Sequence, residues 1–100
     1  MIELSLTMLC PPELEEKLLD TLLLLPEVEV FTSTVAGAHG VAANALSAAE
    51  QVMGRAVVTQ VQVLLAAADR ETVLDAIQRE FAGTGLRYWF SAVMQEGVVL

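Results

Sequence analysis

VVTQVQVLL, from Val57 to Leu65, decides the fold. Val57, Thr59, Val61, Val63 and Leu65 fall on one side of an extended chain, and Val58, Gln60, Gln62 and Leu64 fall on the other. The first side is what a hydrophobic core demands of a strand. The second mixes glutamine with aliphatic residues, so the sheet it joins has one face for a core and one face for something else.

Working outward toward the C-terminus, Asp69 stands where a helix N-cap belongs. Val73, Ile77 and Phe81, joined by Leu74, form a buried stripe at helical spacing, with Arg70, Glu71, Asp75, Arg79 and Glu80 on the solvated side. Gly83 and Gly85 mark the end of that helix. Leu86, Tyr88, Phe90, Ala92 and Met94 then alternate with Arg87, Trp89, Ser91 and Val93 as a further strand, followed by a short apolar tail, Val98 to Leu100.

Toward the N-terminus, Ala36 to Gly54 breaks the pattern and reads as a long loop in which Gly37 and Gly40 flank His39. Ser47 and Glu50 match a capping box, predicting a short helix from Ala48 to Met53 closed by Gly54. Before the loop, Val28 to Val35 is β-branched with Phe31 among it, and its polar content marks an edge strand. Leu14, Leu18, Leu22 and Leu25, widened by Leu19 and Leu23, predict a helix that starts at Pro12 and stops at Pro26, with Glu16, Lys17 and Asp20 facing water. Ile2, Leu4, Leu6, Met8 and Cys10 alternate with Glu3, Ser5 and Thr7 as the first strand.

The order is β-α-β-β-α-β over residues 1–100. It predicts one α+β domain, a ferredoxin-like sandwich with two helices on one face of a four-stranded antiparallel sheet. Two helices cover only one face. The other would carry Glu3, Ser5, Thr7, Gln60, Gln62, Arg87 and Trp89, polar yet poor in charge and bearing a large aromatic, which suits a packed interface between identical sheets. Thr7, Gln60, Gln62 and Trp89 are therefore the candidate oligomer contacts.

Composition points the same way. Of 100 residues, 55% are apolar and 18% charged, more apolar surface than one small core hides. Thirteen carboxylates against five Lys and Arg leave a net charge of -8. That argues against a nucleic-acid partner, which requires clustered cations, and against anionic lipid. The longest leucine run, Leu22 to Leu25, is too short for membrane insertion. The first ten residues lack the basic and small-residue features of a signal peptide, and one cysteine allows no internal disulfide, so a cytoplasmic location is expected.

No catalytic constellation is present. The one histidine has no evident partner, the carboxylates sit on solvated helix faces, and no phosphate-binding glycine motif occurs, so the chain is read as not an enzyme. Arg55 and Arg87 are the cations placed to meet an anion between subunits, or equally to form intersubunit ion pairs with Glu3 or Glu50. His39 is a candidate metal ligand, and Cys10 a soft donor alongside Met8, Met53 and Met94, although gap-filling in the core explains the sulfur residues as well. His39 from several copies would converge only across a symmetry axis.

Three segments resemble an uncharacterised branch of the PII-like proteins. These are Cys10-Pro11-Pro12 with Leu14-Glu15-Glu16 after it, Leu46 to Arg55 (LSAAEQVMGR), and Gly85-Leu86-Arg87-Tyr88-Trp89. The resemblance implies a trimer of ferredoxin-like subunits with sheets turned inward. It also implies a regulatory role in which small ligands bind between subunits, and a T-loop, here residues 36–54, that docks on a transporter or enzyme. By position Arg55, Arg87 and Gln51 would line the ligand cleft. The branch resembles one encoded beside heavy-metal efflux pumps, implying a role in metal homeostasis and an efflux transporter as partner; the cofactor is left open, and too few cations surround the cleft to carry ATP over. Two other readings remain open: a copper- or zinc-binding module or buffer, and an amino-acid-binding regulatory domain of the ACT kind.

Overall fold

In the computed structural model, which describes residues 1–40 and 56–100, the alternation begins to bury side chains at Leu4. Strand β1 runs Leu4–Cys10, and its Leu6, Met8 and Cys10 are fully buried. The elements that follow are α1 (Glu15–Leu23), β2 (Val30–Ala38), β3 (Ala56–Leu65), α2 (Arg70–Glu80) and β4 (Arg87–Ala92). Short 3-10 turns at Pro12–Leu14 and Ala67–Asp69 lead into the two helices.

The strands lie in the order β2-β3-β1-β4, every neighbouring pair antiparallel. That order makes two split β-α-β units, since β1 and β2 run parallel with β3 between them, and β3 and β4 run parallel with β1 between them. Both helices pack on one face. Leu18 and Leu22 of α1 and Val73 and Ile77 of α2 join Leu6, Met8, Cys10, Val61, Val63 and Leu65 in one buried cluster, closed at the end of α2 by Phe81. Each such side chain stabilises the fold by roughly 1.5–3 kcal/mol when fully buried.

The helices are tied together by a side chain expected to face only water. Lys17 is exposed, yet its Nζ donates to the Glu80 carbonyl at 2.7 Å and lies 5.0 Å from the centroid of the Phe81 ring. A cation at the C-terminus of α2 meets the negative end of the helix dipole, and the ring face adds attraction. After Phe81 the chain reverses through Gly83 and Gly85, both at φ 77°, a region open to glycine at no steric cost. The Thr84 hydroxyl knits the turn by donating to the Phe81 carbonyl at 2.7 Å and accepting from the Leu86 N–H at 3.3 Å.

Several expectations are corrected. Leu23 does not widen the buried stripe of α1: it is 71% exposed, because it falls one residue beyond Leu22 and so points off the core side. Asp69 makes no side-chain cap on α2, since it is already inside a 3-10 turn with helical backbone angles. The N–H of Ala67 at the head of that turn is instead satisfied by Glu3, whose Oε1 accepts it at 3.1 Å across the fold. β2 begins at Val30 and continues to Ala38, where a loop was expected from Ala36. Backbone pairing of Ala36 with Val58, Gly37 with Val57 and Ala38 with Ala56 carries the strand on without β-branched side chains. The strand pairing of β4 likewise runs only to Ala92, short of Met94.

Because Cys10, the last residue of β1, sits opposite Thr59, the pairs from Ala36–Val58 to Ala38–Ala56 have no third strand beside them. They form a two-stranded arm extending past the body. Val35, at its base on the helix side, is left 74% exposed because no helix reaches that far. The expected helix Ala48–Met53, its Ser47 and Glu50 capping box and Gly54 lie outside the described residues. Among the described residues, no helix is long and apolar enough to cross a membrane.

Candidate functional site

The face of the sheet opposite the helices is where the candidate residues gather. In the ladder, Thr7 is paired with Gln62 on one side and Trp89 on the other, and Gln62 is paired in turn with Thr32. One row across all four strands thus reads Thr32, Gln62, Thr7, Trp89. The next row reads Thr34, Gln60, Leu9, Arg87 by the same pairings. Neighbouring strands lie about 4.8 Å apart, so Gln60 and Arg87 flank Leu9 at roughly 10 Å from one another.

Two adjacent rows therefore place Thr7, Gln60, Gln62, Arg87 and Trp89 together, with Arg87 as the single charge among them. Thr7 is only 4% exposed although no helix covers it, because its neighbours on both flanks are large. Trp89 is 43% exposed. A flat patch of uncharged hydrogen-bonding groups around a half-exposed indole has the composition found where protein surfaces meet. Glu3, on the same face, has its carboxylate engaged by Ala67. Of the three residues expected to line a ligand cleft, Arg87 is here, at the start of an edge strand and exposed; Arg55 and Gln51 lie outside the described residues.

The two candidate metal ligands are not brought together. His39 follows the last residue of the arm and is exposed. Cys10 is at the end of β1, two strands away and, judged from the pairing, about 13 Å back along the strand direction. Its thiol is buried in the core, where Sγ donates to the Pro11 carbonyl at 3.3 Å. Burial pushes its pKa up to about 11, with the nearby carboxylates of Glu15 and Glu13 adding to the effect. A thiolate, the form that binds metal or attacks an electrophile, is disfavoured there. Among the described residues, no group of three or more His, Cys, Asp or Glu side chains stands close enough to hold a metal ion.

Two features escaped the sequence. One is the Lys17 contact with Glu80, which joins residues 63 apart and leaves no local signature. The other is a groove of about 190 Å³ between the end of α2 and the start of β4, lined by Ile77, Phe81, Gly83, Gly85, Leu86 and Tyr88. The glycines of this segment were legible as a helix stop, but not as the floor of a concavity. On the strand side of the same region the Tyr88 and Phe90 rings meet edge to face, with centroids 6.2 Å apart.

Comparison with known proteins agrees with the fold. The family described as a protein of unknown function, DUF3240, matches residues 2–100. The crystal structure of a DUF3240 family protein from Shewanella baltica superposes with a TM-score of 0.82 at 17% identity, covering 98% of this chain and 97% of that one. A proposed PII-like signalling protein from Thermus thermophilus superposes with a TM-score of 0.67 at 15% identity, covering 93% of this chain and 88% of that one. No curated protein matches the chain.

Proposed function

Given that the chain belongs to the DUF3240 family and shares the fold of a PII-like neighbour, we propose that it is a non-enzymatic PII-like regulatory protein that assembles through its helix-free sheet face. The observation that carries the reading is that face: Thr7 at its centre with Gln60 and Gln62 beside it, and Trp89 and the one cation, Arg87, on its edge strand β4. Three copies with their sheets turned inward would cover Trp89 and leave the arm at Val35–Ala38 and Ala56–Val58 pointing away from the assembly. In this reading the segment joining β2 to β3 meets the partner, and the ligand lies between subunits near Arg87, together with Arg55 and Gln51. The ligand is a small molecule or metal ion, the partner a membrane transporter such as a heavy-metal efflux component, and the compartment the cytoplasm.

Native mass spectrometry across a dilution series tests the assembly, with three chains expected and a lone protomer contradicting it. A thermal-shift panel of adenine nucleotides and of divalent and cuprous ions tests the ligand, because whatever binds the folded state raises its melting temperature by mass action. A nucleotide shift lost in Arg87→Ala supports the cleft. A metal shift lost in His39→Ala while Arg87→Ala keeps it favours the copper or zinc reading, with His39 from several copies as ligands. A side-by-side dimer would favour the ACT-like alternative.

A further inference from the structure

The last ladder contact between β4 and β1 is the Val93 N–H donating to the Glu3 carbonyl at 2.9 Å, and beyond it the chain leaves its own body. The tail that follows is apolar and uncovered. Met94, Val98, Val99 and Leu100 are all at least 80% exposed, the largest concentration of exposed apolar side chains among the described residues. Isolated apolar residues at a surface are ordinary, but four within seven positions of one segment mark a contact that a single chain does not make.

The same chain offers a concave apolar surface that nothing fills. The groove of about 190 Å³ at the end of α2 is walled by Ile77, Phe81, Leu86 and Tyr88, and at Gly83 and Gly85 there is open space where a side chain would be. Its size suits one or two aliphatic side chains. A cation stands beside it, for the Lys17 ammonium lies 5.0 Å from the centroid of the Phe81 ring that walls the groove and is held by the Glu80 carbonyl. Among the described residues the direct ion pair joins Arg79 to Glu80, and Lys17 makes none. The tail carries one charged side chain, Glu96, and it is negative. A cation without a direct ion pair beside an apolar groove is complementary to an acidic, apolar segment of this kind.

Geometry indicates whose groove the tail takes. The groove lies at the start of β4 and the tail leaves from its far end, six residues and about 20 Å away. Val93 still continues the direction of β4, so filling its own groove would require the tail to double back along the strand, whereas a neighbouring copy is reached without that reversal. We infer that the segment Met94–Leu100 of each chain seats Val99 in the α2–β4 groove of the next copy, with Glu96 toward the neighbour's Lys17. The contact is head to tail, each copy being donor and acceptor, and so closes a ring when the rotation permits. It rests on the homo-oligomer reading but is separate from it, since sheets can pack face to face with the tail unused.

The test is oxidative cross-linking of the full chain. Val99→Cys and Ala82→Cys chains, Ala82 being exposed at the groove, are co-expressed and run without reductant. Buried Cys10 stays silent, as the unsubstituted chain will show. A bridged pair in the mixture, absent from either variant alone, is the expected result. An internal bridge in a chain carrying both substitutions, or a bridge in Val99→Cys alone, overturns the proposal in favour of a tail folded on its own body or tails paired with each other. No bridge in protein whose native mass is oligomeric overturns the clasp and leaves the sheet-face assembly standing, whereas a monomeric native mass removes both. Val99→Asp should weaken association at least about tenfold, the worth of one buried valine, without altering the circular dichroism of the protomer. Unchanged association refutes the contact.

Discussion

Gln62→Glu separates the stability of the protomer from that of the assembly. Gln62 is exposed, on the helix-free face, between Thr7 of β1 and Thr32 of β2. The substitution keeps size and shape and adds one negative charge. In a free protomer that charge stays in water, and surface changes of this kind shift stability by no more than about 0.5 kcal/mol. In a face closed by another copy the carboxylate has no cation opposite it in its row, and an unpaired buried charge costs about 3–5 kcal/mol. At about 1.4 kcal/mol per factor of ten, association should weaken by about 10²- to 10⁴-fold. Sedimentation velocity over a dilution series at neutral pH reads the shift directly, while thermal melting of the dissociated form should stay within a few degrees of the parent. Lowering the pH below about 4, where a glutamic acid side chain ordinarily takes up its proton, neutralises the introduced carboxylate and should restore much of the association. An assembly that dissociates at the same concentration as the parent would refute the placement of this face at an interface.

Other expectations follow from the interior. Lys17→Met removes the bond to the Glu80 carbonyl and the cation over Phe81; a loss of about 1 kcal/mol should lower the melting temperature by about 4–8 °C. Leu18→Ala, at a fully buried position of α1, should cost about 2–5 kcal/mol in urea unfolding and leave the fold marginal. Cys10 has a folded pKa raised to about 11 from 9.0. Between those values the unfolded chain releases the proton while the folded one keeps it, so this contribution to stability is full below about pH 9 and is lost as pH rises through about 11. At pH 8 the thiolate fraction in the folded chain should be about a hundredfold below that in urea, and labelling by a thiol reagent correspondingly slower; equal rates would show Cys10 to be accessible.

What the sequence made legible was whatever repeats at short range. The period of two in Leu4–Cys10 and in Ala56–Leu65, and the period near 3.6 in Leu14, Leu18 and Leu22 and in Val73, Ile77 and Phe81, placed the strands, both helices and the buried side of each. The cross-strand register was not legible locally, but the face it assembles was, because parity along each strand already assigned Thr7, Gln62 and Trp89 to one side. The errors arose where long-range partners replaced local ones. Asp69 looked like a cap, yet Glu3, 64 residues from Ala67, does the capping. Ala36 to Ala38 looked like a loop because small residues carry no strand signal, yet pairing with Ala56 to Val58 holds them extended. Lys17 looked solvated because the carbonyl it reaches belongs to another helix. The α2–β4 groove exists only once Gly83 and Gly85 turn the chain back on itself, which composition does not reveal.

Trp89 is the one tryptophan in the chain, so its fluorescence reports on the helix-free face alone. Acrylamide quenching of Trp89 measured alongside sedimentation, from high micromolar concentration down to the point of dissociation, tests the account most directly. Blue-shifted emission shielded from quencher in an oligomer, turning red-shifted and quenchable as the mass falls to one chain, is the predicted result. A protomer that is already monomeric at high concentration, or an oligomer whose Trp89 is quenched as freely as in the monomer, would contradict it.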